Sequence, residues 1–122
     1  MMDCRVMIST DMKRGGLSAE AIELIATRFR ILGEPLRIAI LQALQSGERS
    51  VGQLVQMVGS TQPNVSKHLR ILQEAGLVGR RQDGNTVYCF IADPTVFDLC
   101  NAVCDSLEAR LASSARALRR RK

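Results

Sequence analysis

Two short helices joined by a tight turn constrain what this 122-residue chain can fold into more than any other sequence feature. Ser50 and Gln53 have the spacing of a capping box, which starts a helix that Gly59 stops after little more than two turns. A cap residue, Thr61, follows at once, and a second helix runs from there to about Ala75. A helix stop followed so closely by a new start predicts a helix-turn-helix.

A β-hairpin is predicted directly after these two helices. Gly76 ends the second helix, and Asp83-Gly84-Asn85 then separates two β-prone runs. An Asp-Gly pair favours a hairpin turn because glycine readily adopts positive φ. The runs are Leu77 to Gln82 and Thr86 to Ile91. Helix, glycine turn, helix and hairpin in this order describe a winged helix-turn-helix.

Further helices are predicted on both sides of this motif. A first helix fits residues 18–32, a second begins at Pro35 and ends before Gly47, and a long last helix runs from 94 to about 116. The predicted fold class is therefore mainly α with a small β-hairpin, in the order α-α-α-α-β-β-α. The chain length suits one domain. The predicted parts are a flexible arm over 1–16, a winged-helix domain over 17–116 and a basic tail over 117–122.

Positive charge is concentrated at the C-terminus. The chain has 17 Lys and Arg against 12 Asp and Glu, and five of the basic residues stand in 116–122, so the rest is neutral. The net charge therefore reflects the end of the chain and does not by itself indicate a nucleic-acid-binding face. Two interpretations of the tail stay open: it contacts DNA phosphate, or it is a solubilising end.

The solvent face of the second helix of the motif has the chemistry that reads DNA. Gln and Asn pair with adenine edges, Lys and Arg pair with guanine or phosphate, and Ser and Thr near a helix N-terminus hold phosphate. The hairpin adds two arginines and a polar tip as a wing. The alternative is a winged helix used only for dimerisation or protein contact. The predicted DNA-contacting residues are Thr61, Gln62, Asn64, Ser66, Lys67, His68, Arg70, Arg80, Arg81 and Asn85.

The recognition-helix region resembles a known family. Residues 61–78, TQPNVSKHLRILQEAGLV, resemble the signature of the ArsR/SmtB repressors, and residues 32–38, LGEPLRI, are similar to their first helix junction. Asp83-Gly84-Asn85 with Val87-Tyr88 resembles their wing, and the likeness covers about 20–110. It implies homodimers built from the first and last helices, and palindromic operators bound in two successive major grooves. It also implies an inducer, usually a thiophilic ion or a redox signal, that releases the DNA.

Three cysteines form a candidate inducer site. Cys100 and Cys104 stand four apart on one helix face, and a turn at Asp93-Pro94 would bring Cys89 towards the start of that helix. Three thiolates suit a soft ion, so As(III) or Sb(III) is the predicted inducer, with Cd, Pb or Zn as alternatives. Plain apolar packing and a redox or persulfide switch also stay open. Cys4, on the arm, is either a fourth ligand or without a role.

The sensor sites familiar in the family are absent from this sequence. Residues 50–54 contain no cysteine where arsenic sensors carry Cys-x-Cys, and Gln42 stands where persulfide sensors have a second-helix cysteine. The His/Asp zinc site of the last helix is also missing. The single histidine, His68, is on the recognition helix, where metal binding would compete with DNA reading. The cysteine site is therefore predicted from its own spacing.

Composition and motifs favour a cytoplasmic regulator over an enzyme. Met1 to Arg14 lacks the apolar run of a secretory signal, and no stretch approaches the roughly 18 apolar residues of a membrane span. In the cytoplasm cysteines stay reduced. The sequence shows no nucleophile–base pair and no glycine-rich phosphate loop, so no catalytic residues are predicted.

Overall fold

A computed structural model describes residues 16–111 of the chain. These residues divide into two compact units, one that ends at Ile91 and one that begins at Ala92. The predicted tail, Cys4, almost all of the predicted arm and the end of the predicted last helix lie outside the described residues. The elements, in chain order, are α1 (Ala19–Leu32), α2 (Pro35–Leu44), β1 (Arg49–Ser50), α3 (Val51–Val58), α4 (Gln62–Glu74), β2 (Val78–Asp83), β3 (Thr86–Ile91) and α5 (Thr95–Leu111).

Side-chain caps start α1 and α3, as the sequence predicts. Ser18 Oγ accepts a hydrogen bond from the amide of Ala21 at 3.0 Å and starts α1. Ser50 Oγ accepts from the amide of Gln53 at 3.1 Å, and Gln53 Oε1 accepts from the amide of Ser50 at 2.9 Å. This reciprocal capping box satisfies amides that the first turn of α3 would otherwise leave unpaired.

Left-handed glycines end the two helices of the predicted helix-turn-helix. Gly59 has φ 69° at the end of α3, and Gly76 has φ 78° after α4. The amide of Gly76 donates to the carbonyl of Gln73, and the amide of Leu77 donates to the carbonyl of Leu72, both at 3.0 Å. This pair of bonds is a Schellman motif, and the fully buried Leu77 supplies its hydrophobic contact.

The hairpin belongs to a three-stranded antiparallel sheet with the order β1-β3-β2. The predicted hairpin is confirmed, with Val78 paired to Ile91 at one end and Asp83 paired to Thr86 at the turn. The third strand, β1, was not predicted. It has only two residues, which is too short for an alternating pattern, and its Ser50 carries the stronger signal of a helix cap.

Aliphatic side chains from the first unit form its core around α4. Val65, Leu69 and Leu72 are buried on the inner face of α4, as their spacing predicts. Burial of a full aliphatic side chain contributes about 1.5–3 kcal/mol, so this face fixes which side of α4 remains exposed. The other largest buried side chains of this unit are Ile40, Leu41, Leu44, Leu54, Leu77 and Cys89.

Apolar side chains remain exposed on α1 and α5 in the single chain. Ile22 and Phe29 of α1 are 54% and 52% exposed. Val103, Leu107 and Leu111 of α5 are also exposed. Large apolar side chains that recur along one helix face outside the core mark a surface for a partner. Among the described residues, no helix is both long and apolar enough to cross a membrane.

Candidate nucleic-acid interface

The N-terminus of α4 is held by its own polar side chains. Thr61 Oγ1 accepts from the amide of Asn64 at 3.3 Å, and Asn64 Nδ2 donates to Ser60 Oγ at 3.0 Å. These bonds order the turn that precedes α4. Six of the seven α4-region residues predicted to contact DNA are exposed: Thr61, Gln62, Asn64, Ser66, Lys67 and Arg70.

A groove of about 260 Å³ lies between α4 and the sheet. Arg80 of β2 and Cys89 of β3 line it from the sheet side, and Arg70 lines it from α4. The hairpin therefore stands beside the recognition helix, as the winged-helix prediction requires. The remaining residues along the groove are Val51, Gln62, Ser66, Leu69, Gln73 and Val87.

Three exposed cations on α4 and β2 lack a protein partner, and two of them, Arg70 and Arg80, border this groove. Lys67, Arg70 and Arg80 are exposed, and none of them makes a hydrogen bond or an ion pair with another described residue. An exposed cation that no carboxylate neutralises is free to bind phosphate. These side chains, with the amide and hydroxyl groups of α4, form a positively charged and hydrogen-bonding surface.

Arg81 differs from Arg80 in its contacts. Its guanidinium binds Glu48 through two bonds, Nη2 to Oε1 at 2.8 Å and Nε to Oε2 at 3.1 Å. The guanidinium carbon of Arg81 lies 4.8 Å from the centre of the Tyr88 ring, and Arg81 Nη1 lies 3.7 Å from Asp83 Oδ2. The hydrogen bonds from Arg81 lower the pKa of Glu48 and raise the pKa of Arg81. The sequence predicted a DNA contact for Arg81, whereas in the structure its charge is already paired.

The predicted placement of His68 on the solvent face is wrong. The side chain is only 7% exposed, and Arg37 Nη1 donates to its Nδ1 at 2.8 Å. His68 follows Lys67 on the helix and precedes the buried Leu69, so it lies at the boundary between the polar and apolar faces. At such a boundary the spacing of apolar residues does not predict whether a side chain is buried or exposed. Arg37, which the sequence did not single out, is the hydrogen-bond partner of the buried ring.

The tip of the wing is exposed and polar. Gly84 adopts φ 65°, which the turn between β2 and β3 requires, and Gln82 Nε2 donates to its carbonyl at 3.2 Å. Asn85 follows at the tip and is exposed, as predicted.

The three described cysteines lie in two settings. Cys89 is fully buried and lines the groove, where burial raises its pKa and Arg80 opposes that effect. Cys100 and Cys104 lie one turn apart on α5 and are half-buried, and burial raises the pKa of Cys100. Residues 16–111 contain no group of three or more His, Cys, Asp or Glu side chains placed to hold a metal ion. The three-cysteine site stays a prediction.

Known protein sequences similar to this chain are regulators. Residues 34–79 match the arsR family of bacterial regulatory proteins. The chain is 41% identical over 71 residues to a probable mercury resistance operon repressor of Streptomyces lividans, covering 58% of this chain and 57% of that protein. It is 40% identical over 92 residues to the HTH-type transcriptional regulator Rv0081 of Mycobacterium tuberculosis, covering 75% of this chain and 80% of that protein.

Solved structures share the fold at similar identity. The crystal structure of Mycobacterium tuberculosis Rv0081 has a TM-score of 0.68 and 39% identity, covering 80% of this chain and 97% of that chain. A homodimeric winged helix-turn-helix domain of Mycobacterium bovis, a possible ArsR-family regulator, has a TM-score of 0.63 and 31% identity, covering 77% and 94%. This chain therefore belongs to the ArsR family of bacterial regulatory proteins, as a DNA-binding winged helix-turn-helix transcriptional repressor and not an enzyme.

Proposed function

We propose that two copies of this chain bind a palindromic operator and release it when As(III) or Sb(III) binds Cys89, Cys100 and Cys104. Each copy contacts DNA through the exposed face of α4 and through the wing, and the two copies occupy successive major grooves. We keep eight of the predicted DNA contacts: Thr61, Gln62, Asn64, Ser66, Lys67, Arg70, Arg80 and Asn85.

The DNA contact is supported above all by the unpaired cations beside α4. Arg70 and Arg80 border the groove, Lys67 is exposed elsewhere on α4, and none of the three makes an ion pair with another described residue. Gln62 and Asn64 are also exposed on α4, and amide side chains pair with adenine edges in the major groove. A winged helix used only for protein contact would have no use for three such cations around a hydrogen-bonding surface.

A homodimer is supported by the exposed apolar side chains of α1 and α5. Ile22 and Phe29 on α1, and Val103 and Leu107 on α5, are exposed in the single chain. A second copy would cover such surfaces in a two-fold symmetric interface. The similar domain of Mycobacterium bovis is homodimeric. Two copies would place their α4 helices about 34 Å apart, one turn of DNA.

Release by a soft ion is supported by the number and kind of thiols. Cys100 and Cys104 offer two sulfur donors on one face of α5, and a third comes from Cys89 of either copy. The similar protein of Streptomyces lividans is named for mercury resistance, which also involves a thiophilic metal. Cys89 is paired in register with Arg80, so an ion at this sulfur acts directly on the wing. The required coupling between ion and DNA is commonly about 1–3 kcal/mol.

A fluorescence anisotropy titration on DNA from upstream of the chain's own gene tests this proposal. We expect tight binding in a non-thiol reductant, and a rise in Kd of about fivefold or more with arsenite or antimonite. Cadmium, lead and zinc, added separately, test the alternative inducers. Cys89→Ser, Cys100→Ser and Cys104→Ser should each abolish this response and leave DNA binding in the absence of ion intact.

The same titration distinguishes the alternatives. If all three serine variants still respond to arsenite, the proposed inducer site is wrong. If an oxidant or a persulfide donor alone releases the DNA and no ion does, the cysteines act as a redox switch. Cys4→Ser, measured alongside, tests whether that cysteine takes part.

A further inference from the structure

His68 of α4 and Arg37 of α2 form a polar contact that DNA binding, as proposed above, does not use. Arg37 Nη1 donates to His68 Nδ1 at 2.8 Å, and Arg37 Nε donates to the carbonyl oxygen of Ile31 at 2.6 Å. Ile31 lies in the last turn of α1, where helical carbonyls lack intrahelical partners and attract a cation. One guanidinium therefore ties the C-terminal end of α1 to the middle of α4.

The chemistry of this contact sets the protonation state of His68. Arginine has donors and no acceptor, so Nδ1 must present a lone pair and the imidazole is neutral. The side chain is 7% exposed. Burial, then the charges of Arg37 and Lys67, lowers the pKa of His68, and Glu34 opposes them. A proton on Nδ1 would remove the acceptor and place two cations in contact.

The surroundings of the ring offer little compensation for a proton. Glu34, just before α2, is the one acid that raises the pKa of His68, and its effect is outweighed. The helix α3, which packs against α4, contains no charged residue. The strand β2 offers only a further cation, Arg80, which lines the groove between α4 and the sheet. Arg28 of α1 donates to the carbonyl of Ala75 at 3.2 Å, past the C-terminal end of α4.

We propose that Arg37 and His68 are positioning residues that hold α4 in its DNA-reading orientation, and that protonation of His68 in mildly acidic solution releases α4 and weakens DNA binding. This inference rests on the proposed role of α4 in DNA binding. His68 is the only histidine in the chain, so between pH 5.5 and 7.0 no other side chain titrates at its ordinary value.

The sign of the effect follows from linkage. The pKa of His68 in the folded chain is below the ordinary value of about 6.5, so the unfolded chain binds more protons in that range. The stability that the contact contributes is complete above about pH 6.5 and is lost as the pH falls through the lower pKa of the folded chain. DNA affinity, which requires an ordered α4, should fall in the same range.

His68→Asn is the decisive variant because the asparagine Oδ1 stands close to where Nδ1 was and accepts the same hydrogen bond without titrating. Its helix propensity is close to that of histidine. In anisotropy titrations at a fixed salt concentration, we expect wild-type affinity to fall about fivefold or more between pH 7.0 and the lower pH at which NMR shows His68 to be protonated. His68→Asn should bind like wild type at pH 7.0 and keep that affinity at the lower pH.

Two further variants complete the design. Arg37→Gln, which cannot bridge both partners with a charged fork, should weaken binding at pH 7.0 and flatten the pH profile. Arg70→Ala, which removes an exposed cation of α4 that does not act on the pKa of His68, should weaken binding at every pH through a lost phosphate contact and keep the wild-type pH profile. A wild-type pH profile in His68→Asn, or wild-type affinity in Arg37→Gln at pH 7.0, would overturn the proposal.

A readout without DNA separates this inference from the proposed function. In long-range 1H–15N NMR spectra, the one imidazole should show Nδ1 as the unprotonated nitrogen at pH 7.0 and titrate below its ordinary pKa. Arg37→Gln should move the titration upwards. If His68 instead titrates at an ordinary value in both proteins, the contact is absent. If the NMR result holds but no DNA binds, the proposed function fails and the contact remains.

Discussion

Arg80 and Cys89 stand directly opposite each other in the antiparallel pair of β2 and β3. Residues opposed in this way point to the same face of a sheet, and both side chains line the groove beside α4. The wing therefore places an unpaired cation and a buried thiol side by side. A change in the charge of the Cys89 sulfur would act on Arg80, because the two groups interact electrostatically and the charge of Arg80 lowers the pKa of that thiol.

Removing a groove cation should weaken DNA binding through lost phosphate contacts. We expect Arg70→Ala and Arg80→Ala each to raise Kd and to reduce the slope of log K against log salt by about 0.9 per lost contact. Anisotropy titrations at salt concentrations between about 50 and 200 mM measure the Kd values and this slope. Arg30→Ala, which removes an equal charge from the last turn of α1, should leave the slope unchanged. A slope that is equal in all three variants would contradict the assignment.

Arg81 should behave differently from its neighbour Arg80. Its charge is paired with Glu48 and stacked on Tyr88, so Arg81→Ala should leave the salt slope close to that of wild type. Glu48→Gln frees the guanidinium and should increase the affinity for DNA and the slope. The same titration series reports both variants. A loss of slope in Arg81→Ala as large as in Arg80→Ala would show that the pairing with Glu48 does not keep Arg81 from phosphate.

Cys89 should react slowly with alkylating reagents, because burial raises its pKa. At pH 7.5 Cys89 is therefore a neutral thiol. Its alkylation rate should keep rising with pH above the range in which an ordinary cysteine ionises. Arg80→Ala removes the opposing charge and should move the midpoint of the pH–rate profile further up. Peptide mapping by mass spectrometry follows the modification. Arg81→Ala, on the other face of the strand, should leave the midpoint in place, and an equal shift in both variants would argue against a specific effect of Arg80.

The turn of the helix-turn-helix should depend on a glycine at one position and not at another. Gly59 has φ 69°, and an alanine there should lower the free energy of unfolding by about 1–2 kcal/mol. Gly52 is helical, and an added Cβ would meet only Ser50 Oγ at 3.9 Å. Gly52→Ala should raise the free energy of unfolding by about 0.5–1 kcal/mol. Urea unfolding at constant m-value measures both, and equal effects would contradict the turn geometry.

Sequence pattern was sufficient for the elements that local chemistry controls. The capping box of Ser50 and Gln53, the glycines after α3 and α4, and the Asp83-Gly84 hairpin each depend on interactions between residues a few positions apart. The inner face of α4 also followed from spacing alone. These signals are strong because a cap or a positive φ accepts few residue types.

Contacts between residues distant in sequence could not be predicted. Arg37 lies 31 residues from His68, and Glu48 lies 33 residues from Arg81, so no local pattern reveals either pair. Residue type and spacing had assigned His68 and Arg81 to the DNA-contacting surface, and each of these contacts removes one of them from it. The strand β1 was missed for a related reason, since its two residues form a strand only through pairing with β3.

Hydroxyl-radical footprinting of the chain on DNA from upstream of its own gene tests directly whether α4 and the wing read DNA. We expect two protected half-sites with centres about 10–10.5 base pairs apart, and loss of both in a Lys67→Ala, Arg70→Ala, Arg80→Ala triple variant that keeps its fold. Protection without sequence preference, or a footprint that the triple variant retains in full, would contradict the assignment of α4 and the wing as the surface that reads DNA.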